Sequence, residues 1–271
     1  MALVAKRMTI KMLARVTGKG VPLVLVPGGL TGWLDWEQHA NRLAATRKVV
    51  RVQLLNVQYG LENRSLPLDY SVKMESRALA ATLDELGLNE AVDIVAWSYG
   101  ALVTLDYALD NPSRVRSLIL IEPPAFWVLH ASGKLDAEAE QIAVMPRTSR
   151  DDISEDQLEQ FLYAVGFCSA GQSARKLPQW PLWAQYRQSL RNTFAVSKHN
   201  DDPKRLSSFQ RPVLLLKGTN SVRSLHQIID VLAIQLPQAQ VMEMPGGHAS
   251  QIASMDRFLK LMKAFQASVQ D

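Results

Sequence analysis

The chain has 271 residues, of which 47% are hydrophobic and 21% are charged, and its formal net charge is +4. This length and composition suit a large globular domain and exclude a disordered, fibrous or membrane-spanning chain. Lysines and arginines are scattered among acids, and the loose group Lys6, Arg7, Lys11 and Arg15 predicts a solvated surface. We therefore expect neither nucleic-acid binding nor membrane binding.

Cys168 is the only cysteine, so no intrachain disulfide can form. We expect this side chain to pack as a small buried apolar group, with a nucleophilic role as the alternative. The segment Met1–Arg7 lacks the apolar core and the cleavage pattern of a secretory signal. These features together predict a cytoplasmic protein.

Short apolar runs bounded by glycine and proline alternate along the chain with helical patterns, and such runs are typical of parallel strands covered on both faces. The predicted strands are Leu23–Val26, Lys48–Leu55, Val92–Ala96, Val115–Ile121, Pro212–Leu216 and Ala239–Met244, with Met8–Ala14 as an extra N-terminal strand. The predicted helices include Asp69–Leu86, Ser98–Leu109, Leu225–Leu236 and Gln251–Phe265. This alternation predicts an α/β fold with a doubly wound, mostly parallel sheet.

Residues 123–209 interrupt the alternation, because this stretch holds no clear buried strand and many aromatic residues. We predict that it forms a mostly helical insertion. The sheet domain then comprises residues 1–122 and 210–271.

Ser98 lies directly after a predicted strand and directly before a predicted helix. Such a junction exposes a side chain at the carboxyl edge of a sheet, where open α/β sheets bind ligands. Ala96 and Gly100 flank it at two residues on either side, and a sharp turn between strand and helix needs small residues there. The pattern predicts a nucleophile, and a simple helix N-cap is the alternative.

A serine nucleophile needs a base and a pair of oxyanion donors. His248 follows the last predicted strand and lies downstream of Ser98, which suits the base, with a surface histidine as the alternative. The glycine turn after the first core strand brings Gly29 into reach, so the backbone N–H groups of Gly29 and Tyr99 are the predicted donors. An ordinary glycine turn is the alternative there. We expect the other four histidines, His39, His130, His199 and His226, to lie on the surface or to serve in packing.

These motifs together resemble the α/β-hydrolase superfamily over nearly the whole chain, and within it the small, capped serine hydrolases of bacteria. They are the Val26–Gly29 turn, the Trp97–Gly100 elbow, the exit Glu122–Pro124, the insertion and the terminal Gly246–His248. The resemblance implies that the insertion is a helical cap. The family often has His-Gly in the oxyanion turn, where this chain has Pro27 and Gly28.

The acid of the triad departs from the common family pattern. Many relatives carry an aspartate shortly after the penultimate strand, where this chain has Ser221, which cannot supply a negative charge. Other members carry the acid after the preceding core strand, a position that Glu122 holds here. The resemblance therefore implies Glu122 as the acid, and a structural carboxylate bonded to backbone N–H groups is the alternative. Asp201, Asp202 and Asp230 are less suited, because they lie in the insertion or within a helix.

A serine at the elbow implies acyl transfer to water and excludes the alkyl-enzyme chemistry of dehalogenases and epoxide hydrolases in this superfamily. We expect a serine hydrolase that cleaves an ester or related acyl bond of a small, largely apolar molecule. Trp33, Trp97 and Trp127 are the expected pocket residues, with core packing as the alternative. The sequence shows neither a metal-binding histidine cluster nor a dinucleotide fingerprint, so no metal or cofactor is expected.

Two other classes of function remain open on the sequence. One is a different reaction on the same fold, either C–C bond hydrolysis or the chemistry of a cofactor-free perhydrolase. The other is a non-catalytic ligand-binding or interaction protein, which the missing aspartate at Ser221 keeps open because a fold does not determine function.

Overall fold

A computed structural model describes residues 10–137, 139–140, 152–168, 171–191 and 194–269. Within these residues seven strands form one sheet in the order β1-β3-β2-β4-β5-β6-β7. In chain order they are β1 (Leu13–Thr17), β2 (Pro22–Val26), β3 (Lys48–Gln53), β4 (Val92–Trp97), β5 (Val115–Ile121), β6 (Val213–Gly218) and β7 (Ala239–Met244). Neighbouring strands are parallel except β1, which pairs antiparallel with β3. The predicted mostly parallel α/β sheet is confirmed.

The N-terminal strand lies later in the chain than predicted. Its observed bounds are Leu13–Thr17, whereas the sequence predicted Met8–Ala14, of which residues 8 and 9 lie outside the described part. The strand is at the edge of the sheet, where Leu13 and Val16 are 49% and 43% exposed. Because an edge strand buries few side chains, its apolar pattern does not mark its ends.

Helices connect the strands and cover both faces of the sheet. The described helices are α1 (Glu37–Leu43), α2 (Leu55–Leu61), α3 (Val72–Glu85), α4 (Tyr99–Asp110), α5 (Phe126–Ala131), α6 (Glu155–Ala164), α7 (Trp180–Tyr186), α8 (Phe194–Lys198), α9 (Pro203–Ser208), α10 (Arg223–Gln235), α11 (Ser250–Ala253) and α12 (Met255–Ser268). The predicted helix Gln251–Phe265 is therefore two helices, which meet at Ser254. None of the described helices has the length and apolar character that crossing a bilayer requires.

The core lies on both sides of the sheet. Side chains of β2 alternate between the two sides, since Val24 and Val26 pack with α3 and α4 while Leu23 and Leu25 pack with α12. Residues Leu23–Val26 have no exposed surface. Burial on both faces explains why the strands appear as nearly continuous apolar runs in the sequence.

The described residues between β5 and β6 form helices and turns and contain no strand. The middle of this insertion has its own apolar cluster, which includes Leu158, Leu162 and Trp183 and extends to Leu30 of the sheet domain. Its first and last helices instead contribute to the main core, as Trp127 and Leu206 show. The division of the chain at residues 122 and 210 stays a prediction.

Candidate active site

Ser98 occupies a sharp turn between β4 and α4. Its backbone N–H donates to the carbonyl of Ile121 at 2.8 Å, which extends the pairing of β4 with β5 by one residue. Its φ is +53°, a left-handed value that few non-glycine residues adopt. A Cβ atom at Gly100 would lie 2.0 Å from the carbonyl oxygen of Pro27, so this position of the turn requires glycine. The turn aims the Ser98 side chain into a cavity.

Ser98, His248 and Glu122 form one chain of hydrogen bonds. Nε2 of His248 lies 2.9 Å from Oγ of Ser98, and Nδ1 lies 2.6 Å from Oε2 of Glu122. A carboxylate only accepts hydrogen bonds, so the proton of a neutral His248 ring is on Nδ1. Nε2 is then free to accept the hydroxyl proton of Ser98, as a general base must.

Glu122 is held at the end of β5 in the same manner as Ser98 at the end of β4. Its N–H donates to the carbonyl of Leu216 at 3.1 Å, and its φ is +44°. The carboxylate has no exposed surface, and it also accepts hydrogen bonds from the Gly218 amide and the Ser221 hydroxyl, each at 2.7 Å. Glu122 thus bonds both to the His248 ring and to a backbone N–H.

Two aromatic rings enclose the side chain of His248. The whole residue is 2% exposed. Trp97 donates its indole N–H to the His248 carbonyl at 2.8 Å, and its ring centre lies 5.5 Å from the imidazole. Phe167 of the insertion presents its ring at 5.5 Å in an edge-to-face contact. These contacts fix the loop that carries the histidine and restrict the access of water to its ring.

Gly29 and Tyr99 lie side by side at the carboxyl edge of the sheet. A Cβ atom built on Gly29 would lie 3.2 Å from the Cβ of Tyr99. Tyr99 is the first residue of α4, where a backbone N–H has no acceptor within the helix. The carbonyl of Gly29 accepts a 2.7 Å hydrogen bond from the side-chain amide of Asn56, which anchors this glycine.

Ser98 opens into a cavity of about 560 Å³. The sheet domain contributes Gly28, Gly29 and Trp97 to its wall. The insertion contributes mostly apolar side chains, together with the polar side chains of Gln172 and Gln179. The apolar residues from the insertion are Phe161, Phe167, Leu177, Leu182 and Trp183. Among the described residues that line this cavity there is no lysine and no arginine.

Asp35 and His39 lie four residues apart on the wall of the same cavity. Burial raises the pKa of the Asp35 carboxyl to about 7, although the Thr31 hydroxyl and the Gly28 amide partly oppose this rise. Burial also lowers the pKa of His39, whose Nε2 lies 3.1 Å from the carbonyl oxygen of Gln251. Both effects favour the uncharged form of the side chain.

Of the three tryptophans predicted to line the pocket, the structure places only Trp97 on this cavity. Trp33 instead lies beneath the guanidinium of Arg15, whose carbon is 4.3 Å from the ring centre. Trp127 is 4% exposed and packs in the main core. These two expectations are corrected, because Trp33 is half-buried beneath Arg15 and Trp127 is enclosed in the main core, so neither ring lines the cavity beside Ser98.

Sequence reasoning missed the contacts of Asn56 and the packing of Phe167 against His248. No local motif marks either residue, and both act through neighbours that are distant in the chain. Among the described residues, no group of three or more histidine, cysteine, aspartate or glutamate side chains is arranged to hold a metal ion.

A family model described as "Alpha/beta hydrolase family" matches residues 23–261, which include every residue of the hydrogen-bonded chain described above. The chain belongs to the alpha/beta hydrolase family. Solved structures share its fold. A thermophilic esterase from Thermogutta terrifontis superimposes with a TM-score of 0.74 at 18% identity, covering 96% of this chain and 94% of the esterase.

Two relatives are similar in sequence. The 2-hydroxy-6-oxo-2,4-heptadienoate hydrolase of Pseudomonas putida is 36% identical over 107 residues, which are 38% of this chain and 38% of that protein. The matched part therefore spans well under half of this relative. The protein named "Putative carbamate hydrolase RutD" of Klebsiella pneumoniae is 25% identical over 263 residues, covering 88% of this chain and 89% of that protein. Hydrolases of different bonds are thus similar to this alpha/beta hydrolase.

Proposed function

We propose that this alpha/beta hydrolase is a serine hydrolase that cleaves an ester or related acyl bond through an acyl-enzyme on Ser98. The hydrogen-bonded chain from Ser98 through His248 to Glu122 is the observation that carries the proposal. A nucleophile, a base and an orienting carboxylate at hydrogen-bonding distances are what acyl transfer to water requires.

In the proposed mechanism, Oγ of Ser98 attacks the substrate carbonyl carbon while Nε2 of His248 takes the hydroxyl proton. The N–H groups of Gly29 and Tyr99 stabilise the oxyanion that forms. Glu122 stabilises the imidazolium, which then gives its proton to the leaving group as the acyl bond breaks. A water molecule, deprotonated by His248, attacks the acyl-enzyme and releases the acid and the free Ser98 hydroxyl.

The cavity supports a small, uncharged and largely apolar substrate. Its volume of about 560 Å³ is that of a small-molecule site, and the insertion covers it with apolar side chains. A substrate carboxylate would find no lysine or arginine among the described lining residues. A buried anion without a cationic partner is costly, so an anionic substrate is disfavoured.

Ester, carbamate and C–C bonds are the candidate scissile bonds. The similarity to the protein named "Putative carbamate hydrolase RutD", which covers 88% of this chain, supports a carbonyl attached to oxygen or nitrogen. The 36% identical stretch supports C–C hydrolysis as the second candidate. The substrate named for that relative is a dienoate, a carboxylate, which the cavity beside Ser98 does not favour.

We propose the cytoplasm as the location, on the evidence of the single cysteine.

Labelling with a fluorophosphonate probe at neutral pH tests the nucleophile. We expect the wild-type chain to be labelled, Ser98→Ala to be unlabelled, and Ser207→Ala, which changes an exposed serine, to be labelled fully. An unlabelled wild-type chain would contradict the enzyme assignment and favour the ligand-binding alternative.

A substrate panel then identifies the bond and the charge preference. p-Nitrophenyl butyrate and p-nitrophenyl hemisuccinate are a matched pair, because only the second carries a carboxylate. We expect kcat/KM for the charged ester to be lower than that for the uncharged ester by at least about 10-fold. Faster turnover of a diketone than of any ester or carbamate would favour C–C hydrolysis, and halogenation that depends on peroxide would favour a perhydrolase.

A further inference from the structure

Glu75 of α3 is a carboxylate without exposed surface, and it is not part of the chain of hydrogen bonds from Ser98 to Glu122. Its hydrogen-bond donors are the backbone amides of Leu55 and Asn56, at 2.9 and 3.0 Å, and the hydroxyl of Tyr70 at 2.6 Å. Burial raises the pKa of Glu75 to about 7, and the three donors partly oppose that rise. A group that is costly to bury and has this many partners holds those partners in place.

The first connection runs from Glu75 to the glycine turn. Leu55 and Asn56 begin α2, and the first amides of a helix have no acceptor within it, so Glu75 serves as their acceptor. The side-chain amide of Asn56 then donates to the carbonyl of Gly29 at 2.7 Å and to that of Ser189 in the insertion at 2.9 Å. Because glycine has a wide range of backbone conformations, a bond to its carbonyl restricts where Gly29 can lie.

The second connection runs from Glu75 to the residue that follows the nucleophile. The hydroxyl of Tyr70 bonds Glu75, and the hydroxyl of Tyr99 lies 2.9 Å from that of Tyr70. Burial holds the pKa values of both tyrosines well above their ordinary range, so both remain proton donors. The Tyr99 ring is therefore anchored through Tyr70 at the same carboxylate that anchors α2.

We infer that Glu75 is a positioning residue for the oxyanion hole, which it holds at both sides, Gly29 through Asn56 and Tyr99 through Tyr70. The inference rests on the proposed serine hydrolase function. Glu75 itself contacts neither substrate nor Ser98. Its effect is on the two N–H donors, whose placement matters most when charge develops on the substrate oxygen.

Glu75→Gln tests this role, because glutamine keeps the size of the side chain but cannot accept from two amides and a hydroxyl as a carboxylate does. We expect kcat for p-nitrophenyl butyrate to fall about 10- to 100-fold with little change in KM, less than the loss of a whole oxyanion donor. Phenylboronic acid, which forms a tetrahedral adduct with an active serine, should bind more weakly by a similar factor.

Thr82→Val is the matched control on the same helix. Thr82 is buried, and its hydroxyl bonds the backbone of Met12 and Ala78, away from the oxyanion turn. We expect this variant to lose stability while kcat and boronate affinity stay at the wild-type values. If Glu75→Gln does not fold, Tyr70→Phe, which removes one hydroxyl, should show the same selective loss of kcat.

Each outcome decides a separate question. A wild-type chain that neither labels nor turns over ester overturns the proposed function, and this inference with it. An active wild type whose Glu75→Gln and Tyr70→Phe variants keep full kcat overturns the positioning role alone. Equal losses of kcat in Thr82→Val and Glu75→Gln would also overturn it, because both would then reflect general destabilisation.

Discussion

The hydroxyl of Ser221 donates a 2.7 Å hydrogen bond to Oε2 of Glu122, the oxygen that also lies 2.6 Å from Nδ1 of His248. Ser221 stands where many relatives have the acid of the triad. Under the proposed function, Ser221 therefore supports the carboxylate of Glu122, which serves as the acid instead. The relationship ties two strand ends, β5 and β6, to one imidazole.

Exchanging the acid between these two positions should move its function. We expect Glu122→Gln to lower kcat by about 10³- to 10⁴-fold in a folded protein, because the orienting charge is lost. Adding Ser221→Asp should restore at least about 10-fold, since Ser221 and Nδ1 of His248 bond the same oxygen of Glu122 in the wild type.

Ester turnover by the single and double variants measures both effects, with Ser221→Ala as the control for loss of the hydroxyl alone. In the wild-type background Ser221→Asp should be harmful, because two carboxylates would share one site. Near-normal turnover by Glu122→Gln would refute the role of this acid.

The positive φ of Ser98 should make glycine more stable than alanine at this position. Both Ser98→Gly and Ser98→Ala remove the nucleophile, but only glycine adopts φ +53° without steric cost. We expect Ser98→Gly to exceed Ser98→Ala by about 1 kcal/mol in the free energy of unfolding.

Urea unfolding of the two variants checks this difference. The same pair at Ser207, an exposed residue of α9, should show the reverse order, because glycine is unfavourable in a helix. If alanine were the more stable residue at Ser98 as well as at Ser207, the backbone at Ser98 would not be strained.

Asp35 should make the protein less stable as pH rises. The pKa of its carboxyl is about 7 in the folded protein against an ordinary value of 3.8. Between these values the folded state holds a proton that the unfolded state has lost, so the free energy of unfolding decreases from about pH 4 to pH 7. It stays low above pH 7.

The side-chain amide of the variant Asp35→Asn cannot titrate in this range. The Tm of the variant minus the Tm of the wild type should therefore become more positive as pH rises from 5 to 8. Thermal unfolding across this range measures the effect, and Asp230→Asn, at a side chain 59% exposed, is the control. A constant difference in Tm between Asp35→Asn and wild type would contradict the raised pKa.

The indole N–H of Trp97 should matter for turnover more than for folding. Trp97→Phe keeps an aromatic ring beside His248 but removes the 2.8 Å hydrogen bond to its carbonyl. We expect kcat to fall by about 10-fold with KM nearly unchanged, because the histidine loop is less well held. Steady-state kinetics measure this. Trp180→Phe, at a ring that stacks with Arg175 in the insertion, should leave kcat unaltered.

The positions of most strands and the turn at Ser98 could be predicted because their signals are local. A strand that is buried on both faces has a continuous apolar run in its sequence. The sharp turn at Ser98 requires small neighbouring residues such as Gly100. The edge strand β1 has neither signal, so it was predicted to begin five residues too early and to end three residues too early. The break at Ser254 within the last predicted helix was also missed, because no local sequence signal marks it.

The hydrogen bonds and packing contacts that hold the site in place could not be predicted, because they join residues that are distant in the chain. Glu75 resembles any acid of an amphipathic helix until α2 is folded against it. An aromatic residue type does not distinguish a core position from a cavity wall, so Trp33 and Trp127 were misplaced. Phe167 was hidden among the other aromatic residues of the insertion.

The contact of Asn56 with Ser189 has a consequence for chimeric proteins. Transplanting residues 123–209 from a relative would replace the segment whose backbone carbonyl accepts one N–H of Asn56. The fit is also steric, because a Cβ atom at Gly60 would lie 2.6 Å from the backbone nitrogen of Ser189. The insertion is therefore not a self-contained module, and a functional exchange has to carry the segment Asn56–Gly60 with it.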